Sequence, residues 1–191
     1  MKQARIITKQ EFQRLLSVVA SNKHAERNRA VVFLSFYAGL RACEIASLRI
    51  HDVVADDGTI KAQVILESYM TKGNERQQVI LNRVLRKELA KYVKSVCSNY
   101  SRNDALIKSQ KGSAFSPLTI TQLFARLYKL SGISGASSHS GRRFYIDCLA
   151  SKSVNVRVIQ ALARHKHLNT TMRYIDITQA KLDKAVEAVE L

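Results

Sequence analysis

Ala163-Arg164-His165-Lys166-His167-Leu168-Asn169-Thr170-Thr171-Met172-Arg173-Tyr174 sets a histidine nine residues ahead of a tyrosine, with a cap-like Asn-Thr-Thr between them. Alone, the stretch is equally compatible with a half-buried core tyrosine beside a surface histidine. It gains meaning from three earlier segments: Gly39-Leu40-Arg41-Ala42-Cys43-Glu44, Thr71-Lys72-Gly73 and His139-Ser140-Gly141-Arg142. Together they supply two arginines, a lysine, two histidines and a tyrosine. These side chains suffice to attack a phosphodiester without a metal.

Composition narrows the setting. A chain of 191 residues can hold one good core, or a large and a small lobe. Apolar residues make up 46% and there is one proline, which predicts a folded, helix-rich protein. Lys and Arg number 31 against 15 Asp and Glu, a net charge of +16. Such an excess attracts a polyanion, nucleic acid first. A ribosome-associated or merely basic protein is the alternative on charge alone. Cys43, Cys97 and Cys148 are widely spaced and lack metal-ligand spacing. Reduced thiols packed in a cytosolic core fit them. The first residues lack the apolar run of a signal peptide, and no stretch is apolar enough to span a bilayer. A cytoplasmic protein with no membrane partner is the expectation.

Along the chain, Thr8-Lys9-Gln10-Glu11 is a capping box opening a helix with Phe12, Leu15, Leu16 and Val19 on one face. Arg27 to Ala38 reads as a second helix, too apolar for a surface position and so central, and ended by Gly39. A short third helix runs from Ala42 to Leu48. The period then changes. Ile60 to Tyr69 and Gln77 to Leu81 read as strands of a small antiparallel sheet of two or three strands, turning at Lys72-Gly73-Asn74. Asn82 caps a helix with Leu85, Leu89, Val93 and Val96 on one stripe. Ser98 to Ser113 is polar loop, and Ser116-Pro117 starts another helix carrying Leu123, Phe124, Leu127 and Leu130. Further helices start near Ser140, at Asn155, at Asn169 (a short one holding Tyr174) and at Thr178, the last with an apolar stripe of Leu182, Ala185, Val186 and Val189. There are no repeats and no evident domain boundary. The fold class is mainly α with a small antiparallel β-sheet insert.

Each candidate site residue has a structural reading beside the chemical one. Arg41 sits at a chain reversal, where its guanidinium forks onto two phosphate oxygens, or else pairs with Glu44 three residues on. His139 and Arg142, three apart at a helix start, share a face near free backbone N–H groups that favour an anion; the alternative is a solvated basic turn that includes Arg143. Lys72 on a hairpin is a point-charge donor able to protonate a leaving hydroxyl, or a solvated turn lysine. Tyr174 is a nucleophile only if cationic neighbours or a base activate a phenol whose pKa is ordinarily near 10. Metal binding by His165 and His167 is not expected, since no carboxylate or cysteine cluster accompanies them.

In order and spacing these residues resemble the tyrosine recombinase (phage integrase) family. Its catalytic domain carries an arginine in a Gly-Leu-Arg-x-x-Glu segment, a hairpin lysine, a His-x-x-Arg pair, a Gly-His pair and a tyrosine nucleophile. Here they match Gly39-Leu40-Arg41 with Glu44, Lys72, His139 with Arg142, and His165 followed by Tyr174. The similarity runs from about Thr8 to Asp176. Arg164 stands where the family usually has glycine, and Arg143 where a histidine commonly follows the second arginine.

The resemblance implies the tyrosine recombinase catalytic-domain fold over residues 1–191, without the family's usual N-terminal DNA-binding domain. That describes an isolated catalytic domain or a short member similar to the recombinases that invert fimbrial promoters. It implies site-specific cleavage and rejoining of double-stranded DNA through a 3′-phosphotyrosyl intermediate, for integration, excision or inversion. The catalytic set is then Arg41, Lys72, His139, Arg142, His165 and Tyr174, with Glu44 orienting Arg41. No cofactor and no metal are expected. Partners are DNA, further copies of the chain assembled on it as a dimer or tetramer, and accessory DNA-bending proteins. A non-catalytic DNA-binding module on the same fold, and a relative that relaxes supercoils or resolves telomeres, stay open as alternatives.

Overall fold

Thr8 opens the first helix as its sequence requires. Its hydroxyl accepts the Glu11 N–H while the Glu11 carboxylate accepts the Thr8 N–H. In this computed structural model, which describes residues 4–71, 73–97, 99–175, 179–187 and 189, α1 spans Lys9–Ser21 and buries Phe12, Leu15 and Val19. The chain divides after Tyr145 into two compact units.

The first unit is organised on α2, Ala25–Ala38, which starts two residues earlier than its pattern indicates. Its residues from Val31 to Phe36 are all buried, as the absence of a polar face predicts. Phe12, Phe36 and Phe144 pack ring to ring, with centroids 4.7–5.2 Å apart. Gly39 closes α2 in the left-handed conformation. Then follow α3, Ala42–Ser47, and a single turn, α4, Ile50–Val53, which no sequence signal announces.

The sheet has two antiparallel strands, β1 (Gln63–Leu66) and β2 (Gln77–Ile80), paired Gln63 to Ile80 through Leu66 to Gln77. The first is much shorter than the β-rich stretch from Ile60 to Tyr69. Ile60 makes only an isolated bridge to Val54, and Ser68–Met70 forms a 3-10 turn. Val64, Leu66 and Val79 face the core while Ile65 and Ile80 face out, the alternation a half-buried hairpin needs.

Asn82 caps α5, Arg83–Val96, through the Leu85 N–H. Ser116 caps α6, Pro117–Leu130, through the Thr119 N–H, with proline in the first turn. The polar stretch between them is loop, but it buries Leu106 and Ile107, and the Tyr92 hydroxyl donates to the Leu106 carbonyl at 2.8 Å. α7, Ser140–Ala150, contains the division between units.

In the second unit Asn155 caps α8, Val156–Ala163, with its side chain on the Arg157 N–H. α9 is Leu168–Met172. Its N-cap is His167, not Asn169, which falls inside the first turn; Tyr174 lies beyond the helix end rather than in it. A cap is fixed by where the chain leaves extended conformation, and here that is His167, two residues before Asn169, which is already helical. α10 is Gln179–Glu187, and its expected cap, Thr178, lies outside the described residues. Among the described residues no helix is long and apolar enough to cross a membrane.

Candidate active site

Three of the predicted site residues, Arg41, His139 and Arg142, are described in the first unit, where α2 ends and α7 begins. Gly39 must be glycine: its φ is +60°, and a β-carbon there would stand 2.8 Å from the Tyr145 ring. The reversal places Arg41 in extended conformation just ahead of α3. Glu44, with no exposed surface, accepts the Arg41 backbone N–H at 2.9 Å and its Nη1 at 2.6 Å. The structural pairing of Arg41 with Glu44 is therefore present. It does not compete with anion binding. The Arg41 side chain keeps 23% of its surface exposed, and its remaining guanidinium N–H groups donate to no other described residue. A buried carboxylate that takes one edge of a guanidinium fixes the direction of the other edge.

Arg142 is buried, and its Nη1 donates to the Gly39 carbonyl at 2.7 Å. Two motifs a hundred residues apart in sequence are thus joined by a direct hydrogen bond. The close approach depends on Gly141, because a β-carbon at that position would lie 2.7 and 2.9 Å from ring atoms of Phe36. His139 precedes α7, at the helix start its spacing predicts, and accepts the Arg143 N–H on its carbonyl at 3.0 Å. His139 is exposed while Arg142 is buried. Arg143 is not a solvated turn residue either, since its Nη1 donates to the Ala4 carbonyl at 2.6 Å. Lys72 lies outside the described residues. The Thr71 hydroxyl, one position earlier in sequence, bonds the Ser68 carbonyl and the Glu75 backbone.

The second unit contributes His165 and Tyr174. Arg164 ends α8 at φ 55° and ψ 48°, the left-handed conformation that glycine adopts at no cost. Arginine here takes the left-handed conformation that a glycine would adopt without strain. The His165 N–H bonds the Gln160 carbonyl at 3.1 Å, and Gln160 Nε2 donates to the His165 carbonyl at 3.1 Å. The His165 ring is buried, has Nδ1 2.9 Å from Thr171 Oγ1, and stacks on the half-buried Tyr174 ring at 5.4 Å between centroids and 29° between planes. Histidine and tyrosine, nine residues apart, are brought into contact by the α8–α9 turn. His167 is exposed, as expected.

Gln160 and Thr171 are parts of this arrangement that sequence reasoning does not single out. Gln160 looks like any exposed helix residue, and Thr171 like part of a capping run. Among the described residues no three His, Cys, Asp or Glu side chains gather into a metal-binding group.

Comparison with known proteins agrees along nearly the whole chain. The tyrosine recombinase XerA of Thermococcus kodakarensis is 28% identical over 185 residues, covering 97% of this chain and 62% of that protein. A tyrosine recombinase of Pseudothermotoga lettingae is 30% identical over 175 residues, covering 91% and 57%. This chain thus spans about three fifths of the length of the relatives it matches. Among solved structures, that of XerA recombinase superposes with a TM-score of 0.77 at 22% identity, covering 99% of this chain and 67% of the other. XerH recombinase bound to palindromic difH substrate gives 0.75 at 20% identity, covering 97% and 53%. At these identities the superpositions establish the fold, the mainly helical catalytic-domain fold with its small sheet. The model of the phage integrase family matches residues 5–181, and on that match the chain belongs to the phage integrase family.

Proposed function

We propose that this chain carries the catalytic centre of a site-specific DNA recombinase that cleaves and rejoins strands by transesterification. The Tyr174 phenolic oxygen attacks the scissile phosphorus. A bond from Oη to phosphorus forms and the bond to the 5′-oxygen breaks, leaving a 3′-phosphotyrosyl ester and a 5′-hydroxyl. Lys72 supplies the proton that the leaving 5′-oxygen takes up. Arg41 and Arg142 offset the charge that accumulates on the nonbridging oxygens as the phosphorus becomes pentacoordinate, and His165 donates to one of them. His139, exposed at the start of α7, assists proton transfer from the phenol. Attack by a different 5′-hydroxyl reverses the step, so joining needs no nucleotide hydrolysis.

The observation that carries this reading is the presentation of Tyr174, a half-buried phenol stacked on a buried imidazole whose Nδ1 meets Thr171 Oγ1 and whose backbone carbonyl is held by Gln160. A core tyrosine would need no such neighbour. Support comes also from Arg41 and Arg142, both anchored to the Gly39–Glu44 segment. The net charge of +16 suits a DNA substrate, with much of the affinity coming from phosphate contacts and falling steeply with salt. Leu182, Val186 and Val189 are exposed at and after α10, an apolar stripe that suits association with a further copy on DNA. The reaction takes place in the cytoplasm, where the DNA is.

The test is covalent trapping. The chain, incubated with nicked and intact DNA from around its own gene and quenched in SDS, gives a protease-sensitive DNA adduct; Tyr174→Phe gives none while still shifting DNA in a gel. An adduct that survives in Tyr174→Phe refutes the assignment. Adduct formation persists in EDTA, and a requirement for Mg²⁺ would point to different chemistry.

A further inference from the structure

Thr171 is fully buried in α9 and carries a hydroxyl that must find a partner there. Its Oγ1 lies 2.9 Å from His165 Nδ1. Its carbonyl accepts the Tyr174 N–H at 2.9 Å. One residue therefore holds the imidazole with its side chain and the tyrosine with its backbone. Among the described residues the hydroxyl makes no second hydrogen bond.

That count decides where the protons sit. A hydroxyl has one proton to donate, and burying it without an acceptor forfeits a hydrogen bond. If Nδ1 carried the imidazole proton it would donate to Oγ1, and the hydroxyl proton would be stranded in the interior. If Nδ1 is bare, Oγ1–H donates to it and both groups are satisfied. The ring proton then resides on Nε2, which becomes a hydrogen-bond donor.

We propose that Thr171 is the positioning residue of the nucleophile segment, fixing His165 as the Nε2–H tautomer and tying that ring to Tyr174. The use of that N–H on a phosphate oxygen rests on the recombinase reading above; the tautomer itself does not. A threonine serves better than a serine here in one respect only, since its methyl group fills the buried site. Serine keeps the hydroxyl, and valine keeps the shape without it.

The experiment reads the two parts separately. With ¹⁵N-labelled histidine, long-range ¹H–¹⁵N correlation at about pH 8, where an ordinary imidazole is neutral, reports the tautomer of each of the five histidines. His165 is assigned by its loss in His165→Asn. The wild type and Thr171→Ser show His165 as Nε2–H. Thr171→Val, with Thr171→Ala as a second hydroxyl-free variant, moves it toward Nδ1–H. In parallel, adduct formation slows about 10- to 100-fold in Thr171→Val and stays within about threefold in Thr171→Ser. An unchanged tautomer in both hydroxyl-free variants overturns the proposal, as does equal slowing in the serine and valine variants. Absence of any adduct in the wild type, with the tautomer still dependent on Thr171, refutes the recombinase reading and leaves the tautomer assignment standing.

Discussion

Gly141→Ala is the sharpest perturbation the fold offers. Glycine sits one position before Arg142 in the first turn of α7, and its missing side chain lets that turn press onto α2. An alanine β-carbon would press hardest on Ser35 Oγ and would lie 2.7 and 2.9 Å from Phe36 Cδ2 and Cε2. Carbon atoms ordinarily meet at ~3.5–4.0 Å, so the overlap is about 0.8 Å. Phe36 cannot swing away, being buried and packed between Phe12 and Phe144. The helix start has to move instead. Overpacking of this kind costs about 1–3 kcal/mol. The better helix propensity of alanine returns up to about 1 kcal/mol, so the net loss is about 1–2 kcal/mol. Function should suffer more than stability. The same shift carries Arg142 away from its 2.7 Å bond to the Gly39 carbonyl, and a misplacement near 1 Å costs about 10²-fold in rate. Urea unfolding and DNA-adduct kinetics on one preparation test both numbers. Gly73→Ala is the control: its β-carbon would meet nothing within 4 Å, and its stability should stay within about 0.5 kcal/mol. A Gly141→Ala protein with the wild-type urea midpoint and wild-type adduct rate would refute the account of how Arg142 is placed.

Glu44→Gln removes the charge that holds Arg41 while keeping the shape; breaking a buried pair costs ~3–5 kcal/mol, and with Arg41 partly exposed the expected loss is about 2–4 kcal/mol. A urea midpoint unchanged in that variant would mean Arg41 is held by something else. Arg164→Gly relieves a left-handed β-carbon worth about 1 kcal/mol but removes a buried side chain with its Nη1 contact to the Leu162 carbonyl at 3.4 Å and its further interactions; a net loss in stability is expected, and a gain would show that the backbone relief outweighs the side chain's contacts. Burial pushes the Cys97 thiol up from an ordinary 9.0 to about 11. Between those values the unfolded chain has lost the proton and the folded chain has kept it, so stability falls as pH rises from about 9 to about 11, and Cys97→Ala should flatten that slope in urea midpoints measured across the range.

Much of this site can be read from the sequence, for physical reasons that differ from residue to residue. Gly39 is legible because a helix this apolar needs a stop, and glycine is the residue that turns left-handed without strain. Thr8, Asn82, Ser116 and Asn155 are legible because a side-chain cap acts within three residues of itself. Asn169 looks like a cap for the same reason and is not one, since the chain leaves extended conformation at His167 and Asn169 is already helical. The strand before the hairpin is overestimated because β-branched residues continue past the point where partners exist: β2 offers only Gln77–Ile80 to pair with. Gly141 can be quoted from its motif, but its reason lies on Phe36, a hundred residues away. The same holds for the Arg142–Gly39 bond, which exists only once the helices pack; the Gln160 clamp is local, but it depends on the left-handed turn at Arg164, which the sequence does not signal.

The measurement that bears most directly on the central claim is the identity of the DNA–protein bond. Trapped adduct is digested with protease, and the DNA-linked peptide is sequenced by mass spectrometry while the released strand is probed with a 5′-kinase. The account predicts one modified peptide carrying its DNA on Tyr174 through a 3′-phosphate, with a free 5′-hydroxyl that accepts label. Linkage at another residue, or a 5′-phosphoryl attachment with a free 3′-hydroxyl, would contradict it.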